Sequence, residues 1–231
     1  MSHAKAKTYT SQIGNLLRQE SLAIEIAHLI ENYNSKARVG LDIGAQDGKL
    51  TKMVVDLTGM SFFGVEPELK KSQLTQNGVT IFRGRSYDIP YADGTVDVIT
   101  AISVMEHIEQ DLLEKSFSEF RRVLNTNGII IIQIPNMLFP LEPHSRLPFQ
   151  QFLPKRVGKK YLQLFSINNE FDGHWYVNTP SQLEKKAHNA GLSMEYSNKF
   201  VYPPTVFPPR YRKLSFLLRI LPLDFFLIFR K

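Results

Sequence analysis

The chain has 231 residues, of which 43% are hydrophobic and 22% charged, so it is long and apolar enough to bury one sizeable core. Its formal net charge is +6, and it contains no cysteine, which excludes a disulfide framework and any cysteine-based metal site. The N-terminus lacks a charged-then-apolar signal pattern, so we expect one cytoplasmic domain spanning residues 1–231.

The predicted elements begin with an amphipathic segment at residues 11–33. Its apolar residues recur with helical spacing but are interrupted near residues 18–21, so one long helix and two short helices both remain open. Residues 1–34 are interpreted as an N-terminal helical cap. This cap either covers the edge of a sheet or closes a substrate cleft.

Residues 39–48 are the most informative stretch and read VGLDIGAQDG. Residues 38–43 predict a short buried strand, after which Gly44 and Gly48 open a turn into a helix over residues 49–57. Such a turn allows a ligand to approach the backbone and offers it the N–H groups of a helix start. The turn lacks the GxGxxG spacing and the lysine of a phosphate loop, so a plain connecting turn fits these residues equally well.

A second predicted strand at residues 61–65 ends at Glu66, which lies 22 positions after Gly44. At that spacing, an acid at the end of the second strand accepts hydrogen bonds from a ribose. Pro67 predicts the first turn of a helix. If that helix forms, Glu66 could instead be explained as an acid stabilised by the helix dipole.

Several later motifs resemble one known family. A third predicted strand at residues 79–82 leads into residues 83–99, which read RGRSYDIPYADGTVDVI. Residues 102–108 read ISVMEHI, and residues 121–128 read RRVLNTNG before a run of four isoleucines. In this order the motifs resemble class I S-adenosylmethionine-dependent methyltransferases, most closely the group that includes the ubiquinone and menaquinone biosynthesis enzymes. The resemblance covers about residues 38–135.

The resemblance implies an α/β Rossmann-like fold with a seven-stranded, mainly parallel sheet, helices on both faces and an antiparallel last strand at residues 225–229. Alternation of strands and helices independently favours a mainly parallel sheet. Residues 38–135 would form the cofactor-binding core and residues 136–178 a substrate-side insertion. Residues 179–231 would form a C-terminal helix, introduced by a capping signal at Thr179, followed by strands.

The same resemblance assigns the first turn to the methionine part of S-adenosyl-L-methionine, through Asp42, Gly44 and the backbone as far as Gly48. It assigns Glu66 to the ribose hydroxyls. Gln46 stands where the family usually has a second glycine. NAD is the main rival cofactor for this fold, and the methyltransferase-like motifs argue against it.

The adenine end of the cofactor site falls on Arg85 and Ser86, and Val104 would lie near the cofactor. The family has an acid at the position of Arg85, and an arginine cannot accept the hydrogen bond of the adenine amino group. We therefore expect adenine to be read by the backbone around Ser86 or to stack on Arg85.

Methyl transfer requires mainly alignment, because the sulfonium donor is already activated. A hydroxyl acceptor still benefits from a base, and His107, after the fourth predicted strand, is the best-placed candidate. His144, His174 and Tyr176 could reach the same cleft from the insertion. No spacing of histidines or acids indicates a metal site.

Charge is distributed unevenly along the chain. Residues 1–135 hold 14 basic and 16 acidic residues, whereas residues 136–231 hold 14 basic and 6 acidic ones, a net charge of +8. The basic half favours an anionic acceptor that is small or linked to a lipid or glycan, methylated on oxygen; a merely solvated basic surface remains the alternative. No Asp-Pro-Pro-Tyr or Asn-Pro-Pro-Tyr motif follows the fourth strand, which counts against amino-group methylation of nucleic-acid bases, while a nucleic-acid methyltransferase stays open as an alternative. A non-catalytic module that binds S-adenosylmethionine also stays open.

Residues 214–231 are the most apolar part of the chain. Arg219, Pro222 and Asp224 interrupt this stretch, which excludes a transmembrane span. Residues 214–221 are interpreted as a connecting helix that either packs in the domain or touches lipid headgroups at a membrane surface. The oligomeric state is not predicted by any pattern in the sequence.

Overall fold

The computed structural model describes residues 2–136, 139, 149, 152–165, 176–206 and 222–231. Within these ranges the helices are Ser2–Asn34 (α1), Lys49–Thr58 (α2), Leu113–Val123 (α3), Lys155–Leu164 (α4) and Pro180–Asn189 (α5). The strands are Val39–Ile43 (β1), Ser61–Glu66 (β2), Gln73–Gln76 (β3), Val79–Arg83 (β4), Val96–Ile102 (β5), Leu124–Pro135 (β6), Ser193–Phe200 (β7) and Asp224–Arg230 (β8). A 3-10 turn at Met105–His107 follows β5.

The strands form one sheet in the order β3-β4-β2-β1-β5-β6-β8-β7. Strands β4, β2, β1, β5 and β6 are parallel, and β8 pairs antiparallel with both β6 and β7. From β1, the chain builds outward first through β2 and β4 and then through β5 and β6, so the strand order reverses between β1 and β5. In open α/β sheets a ligand binds in the crevice at the carboxyl ends of the strands at such a reversal.

Helices cover both faces of the sheet, as predicted. Side chains of α1 and α2 pack with one core cluster, and side chains of α3 and α5 pack with the other. The run Ile129–Ile132 shows why both layers are needed, because alternate isoleucines enter opposite clusters and all four are fully buried. A continuous apolar run is typical of a parallel-type strand buried on both faces.

The sheet has eight described strands rather than the seven that we predicted. The additional strand is β3, which pairs antiparallel with β4 at the edge of the sheet. Asn77 and Gly78 connect these two strands and have φ values of 51° and 77°, which is the geometry of a tight two-residue hairpin. The helix predicted to start at Pro67 is therefore wrong: residues 67–72 form turns and bends before β3.

The N-terminal segment is a single helix across the interruption near residues 18–21. The Ser21 hydroxyl donates to the Leu17 carbonyl oxygen at 2.8 Å, so this polar residue is accommodated within the helix. Leu22, Ile26 and Leu29 enter the core beneath α1, whereas Ile24 on the opposite side of the helix is exposed.

The C-terminal predictions are largely confirmed. The last strand is antiparallel, and Thr179 caps α5 through a reciprocal arrangement with Gln182. Helix α4, by contrast, lies in the 136–178 insertion, where we predicted no helix. The connecting helix predicted at residues 214–221 lies outside the described residues.

The start of β1 is fixed to the centre of the sheet by Asp97 of β5. One carboxylate oxygen of Asp97 accepts hydrogen bonds from the backbone nitrogens of Arg38 and Val39, at 2.7 and 2.8 Å. The other oxygen accepts from the Asn125 side chain. Asp97 thus connects three neighbouring strands at the edge of the sheet opposite the crevice.

We expect Asp97→Ala to lower the free energy of unfolding by roughly 2 to 4 kcal/mol, because it leaves two backbone donors without their charged acceptor. Urea unfolding followed by circular dichroism measures the change. The control is Asp56→Ala, since Asp56 makes only an exposed ion pair with Lys52 and should change stability little. Equal, small effects of both variants would contradict this role for Asp97.

Candidate active site

The carboxyl ends of β1 and β5 meet where Gly44 faces Val104. Gly44 follows β1 with a φ of 75°, in the left-handed region that favours glycine. A Cβ atom placed on Gly44 would lie 2.6 Å from Cγ2 of Val104. Gly44 is therefore required both for its backbone conformation and for its lack of a side chain, and it leaves the turn backbone open to a ligand.

Gln46, which stands where the resembling family usually has a glycine, has a backbone conformation that favours glycine. Its φ is 49°, which costs a residue with a Cβ atom about 1 to 2 kcal/mol. In return its backbone N–H donates to Oε2 of Glu66 at 2.9 Å, so the turn after β1 and the end of β2 are joined.

Glu66 lies at the carboxyl end of β2, half-buried beside the turn. Besides Gln46, it accepts a hydrogen bond from the backbone nitrogen of Glu68 at 3.3 Å. A carboxylate offers about four acceptor positions, so two hydrogen bonds leave it capacity for two hydroxyl groups. This capacity matches the predicted ribose contact.

Asp42 is buried, and both of its carboxylate oxygens are engaged. The Thr51 hydroxyl of α2 donates to one at 2.6 Å, and the Thr100 hydroxyl of β5 donates to the other at 2.7 Å. Burial raises the pKa of Asp42 to about 6, against the effect of the two hydroxyl donors. The side chain thus holds β1, α2 and β5 together beneath the turn rather than projecting from it.

The predicted adenine residues follow β4, next to β2. Ser86 is buried, and its hydroxyl pairs with the Ser116 hydroxyl of α3 at 2.9 Å, so its side chain faces the protein. Arg85 is exposed and donates to the Tyr87 hydroxyl at 2.8 Å. This arrangement is compatible with adenine readout by the backbone at Ser86 or by stacking on Arg85.

The 3-10 turn after β5 places two neighbouring titratable side chains in opposite environments. His107, the predicted base, is exposed. Glu106 is only 2% exposed, and neither of its carboxylate oxygens has a hydrogen-bond partner. Burial raises the pKa of Glu106 to about 7; nearby Asp224 also raises it, and Arg18 opposes the shift.

Glu106 belongs to a buried polar cluster that sequence reasoning did not identify. Tyr202 donates to Asp224 and accepts from Nε of Arg18 at 3.0 Å, which links α1 to the start of β8. Gln133 lies beside Asp224, but its amide nitrogen makes no hydrogen bond of ordinary geometry. A signal was present in the sequence: Gln133 interrupts a run of isoleucines, and a polar residue in such a run is either paired or functional.

The two ends of the 136–178 insertion reach the same edge of the sheet. The backbone nitrogen of Tyr176 donates to the Glu106 carbonyl at 2.8 Å, and the Asn178 side chain donates to the Met105 carbonyl at 2.8 Å. At the other end, the backbone nitrogen of Asn136 donates to the Leu223 carbonyl at 2.6 Å. A cavity of about 130 Å³ lies between these ends, lined in part by Asn136, Asn178 and Phe225.

The candidates His144 and His174 lie outside the described residues. Within the described ranges, no group of three histidine or acidic side chains is placed to hold a metal ion. Over the same ranges, no helix has the length and apolar character needed to cross a membrane.

Comparison with known proteins supports the resemblance in the sequence. Residues 41–132 match a family model described as a methyltransferase domain. A relative from Mycobacteroides abscessus, described as an uncharacterized methyltransferase, is 27% identical over 156 residues, which is 61% of this chain and 59% of the relative. A second, from Mycobacterium leprae, is 26% identical over 113 residues, covering 47% of this chain and 41% of the relative. The matches thus span about half the length of these relatives.

Solved structures share the fold over most of the chain. A S-adenosylmethionine-dependent methyltransferase from Archaeoglobus fulgidus superposes with a TM-score of 0.58 and 16% identity, covering 92% of this chain and 94% of that one. Geranyl diphosphate C-methyltransferase from Streptomyces coelicolor gives a TM-score of 0.54 and 11% identity, over 89% and 77% of the two chains. The fold is therefore that of class I methyltransferases, and the comparisons do not single out the ubiquinone-type group.

Because burial raises the pKa of Glu106, we expect the free energy of unfolding to depend on pH. Between its ordinary value of 4.5 and about 7, the unfolded chain releases the proton while the folded protein retains it, so stability falls as pH rises through this window. Glu106→Gln removes this contribution. Its stability relative to the wild type should therefore increase by roughly 3 kcal/mol between about pH 5 and about pH 8.

Thermal unfolding of both proteins across this pH range measures the effect. The control is Glu109→Gln, which neutralises an exposed glutamate nearby and should follow the wild type. If the difference between Glu106→Gln and the wild type does not change with pH, Glu106 does not titrate as a buried acid.

Proposed function

We propose that this chain is an S-adenosylmethionine-dependent methyltransferase whose acceptor is a small or lipid- or glycan-linked anion, methylated on oxygen. The proposal rests on the turn after β1, which is hydrogen-bonded to the end of β2 and lies against the residues that follow β5. There, Gly44 exposes backbone opposite Val104, and Gln46 orients the Glu66 carboxylate. The matched methyltransferase domain covers these positions.

The residues present fit S-adenosyl-L-methionine. A side chain at Gly44 would fill the space against Val104, so the close approach of a ligand to this turn depends on its absence. Glu66 retains acceptor capacity for the two ribose hydroxyls, and Arg85 and Ser86 follow the adjacent strand β4. The bound cofactor supplies an electrophilic methyl group, and the protein supplies alignment and a partly dehydrated crevice.

The acceptor side of the proposal is supported by charge. Residues 136–231 carry the excess of basic residues, and the C-terminal end of the insertion in this half is hydrogen-bonded to the 3-10 turn after β5 through Tyr176 and Asn178. A structural neighbour is described as a C-methyltransferase of geranyl diphosphate, an anionic isoprenoid, so it shares the class of acceptor that we propose but methylates carbon rather than oxygen. A positive field attracts such an anion to the crevice before alignment occurs.

For an oxygen acceptor, we assign proton removal to His107. It is exposed on the 3-10 turn directly after β5, two positions beyond Met105 and close in sequence to Val104, which borders the cofactor turn. A neutral imidazole can accept the proton of a hydroxyl acceptor as the methyl group is transferred.

Cofactor binding is tested by calorimetry with S-adenosylhomocysteine. We expect saturable binding by the wild type, complete loss in Gly44→Asp and weakening of roughly tenfold or more in Glu66→Ala, which removes the ribose acceptor. Gln46→Gly is the matched control, because it keeps the backbone N–H that orients Glu66 and relieves the left-handed strain. It should bind at least as tightly as the wild type. No binding by the wild type, or preferential binding of NAD, would refute the proposal.

The acceptor is tested in cells that lack the gene. Mass spectrometry of metabolites and envelope glycans should reveal an anionic species lighter by one methylene group than its counterpart in the parent strain. With that species as substrate, His107→Ala should reduce kcat by about 10²-fold or more and remove the limb of the pH profile due to the base. An unchanged profile would rule out His107 as the base. A nucleic acid as the methylated species would refute the proposed acceptor class.

A further inference from the structure

Helix α4 and the residues before it form an exposed surface that is both apolar and basic. The exposed large apolar side chains of this segment are Phe149, Phe152, Val157, Leu164 and Phe165. Arg156, Lys159 and Lys160 are exposed on the same segment. We refer to these eight residues as the α4 surface.

The helical spacing separates the two kinds of side chain. Val157, Tyr161 and Leu164 follow one another at intervals of four and three residues, so they form one apolar stripe along α4. Arg156, Lys159 and Lys160 fall on the adjoining face, and the buried Gly158 lies on the side that contacts the protein. The apolar stripe therefore faces outward, bordered by cations, rather than inward.

This surface is costly if it remains in water. Leu164 is 78% exposed, and Phe152 and Phe165 are each 52% exposed, so three large apolar groups lie close together in the chain without burial. An open groove of about 580 Å³ runs beside them, lined by Phe149, Leu153, Val157, Lys160, Tyr161 and Leu164. An apolar patch of this kind, rimmed by charges, marks an interaction site.

The charge of the segment identifies the partner. Residues 149–165 contain four basic residues and no acidic residue. A second copy of the same surface would bring like charges together. Nucleic acid would pair with the cations and its bases could stack on the phenyl groups, but the aliphatic stripe of Val157 and Leu164 would be left without a partner. An anionic bilayer satisfies both, because headgroup phosphates pair with the cations and the upper acyl region takes up the apolar stripe.

We propose that the α4 surface binds the headgroup region of membranes that contain anionic phospholipids, with α4 lying in the plane of the interface. The insertion that carries α4 begins and ends at the carboxyl edge of the sheet, at Asn136 and Asn178. Binding through α4 therefore anchors to the membrane the segment that borders the candidate active site. This inference goes beyond the proposed methyl transfer and does not depend on it.

The test is co-flotation of the full chain with vesicles. Vesicles of equal parts phosphatidylcholine and phosphatidylglycerol should carry the protein at low salt, and vesicles of phosphatidylcholine alone should not. Lys159→Glu with Lys160→Glu should weaken partitioning by at least about thirtyfold, because each lysine near an anionic surface contributes about fivefold and the two glutamates add repulsion. Val157→Ser with Leu164→Ser should weaken it without altering charge.

The matched control reverses two exposed lysines away from α4, Lys36 and Lys185, which gives the same change in net charge. It should retain most of the flotation. Calorimetry with S-adenosylhomocysteine on every variant separates this proposal from the proposed function, since cofactor affinity should stay constant throughout.

Three outcomes would overturn the inference. The first is the absence of flotation by the wild type, and the second is equal loss in the control and in the α4 variants. The third is a gel shift with RNA that the lysine reversals abolish and the serine variants leave intact, because it would assign the surface to nucleic acid.

Discussion

The architecture of the candidate site depends on the contact between the ends of β1 and β5. Within the core, Asp42 of β1 accepts hydrogen bonds from hydroxyl groups of α2 and β5, which fixes the positions of these three elements relative to one another. Just beyond, Gly44 takes a left-handed conformation and leaves room for Val104. Because the strand order reverses at this point, a ligand crevice is expected here. Of the residues predicted for the cofactor, Gln46 and Glu66 lie at the ends of β1 and β2, and Arg85 and Ser86 follow the neighbouring strand β4.

A second constraint arises near the 3-10 turn after β5, where polar groups are buried without full pairing. Glu106 has no hydrogen-bond partner, and Asp224 depends on Tyr202 and Arg18. Burial without pairing is unfavourable and is retained mainly at functional sites. These groups lie close to the turn that carries His107 and to both ends of the insertion, which is where we propose that the acceptor binds.

The layers of the fold and part of the candidate site could be predicted from the sequence, and the physical reason differs from residue to residue. The alternation of buried strands with amphipathic helices predicted a sheet covered by helices on both faces. The capping pattern at Thr179 predicted the start of α5. Pro67 was misread because proline suits both a helix start and a turn; the decisive signal was Asn77-Gly78, ten positions later, which closes a hairpin. The Glu106 environment could not be predicted, because it depends on α1, β6 and β8 converging from distant parts of the chain.

The most direct test of the central claim is the crystal structure of the chain with S-adenosylhomocysteine. The account predicts the ligand at the carboxyl ends of β4, β2, β1 and β5. Its ribose hydroxyls should lie within hydrogen-bond distance of the Glu66 carboxylate, and its amino acid portion should lie against the backbone of Gly44. A ligand bound elsewhere, or a crevice whose Glu66 carboxylate turns away from the ribose, would contradict it.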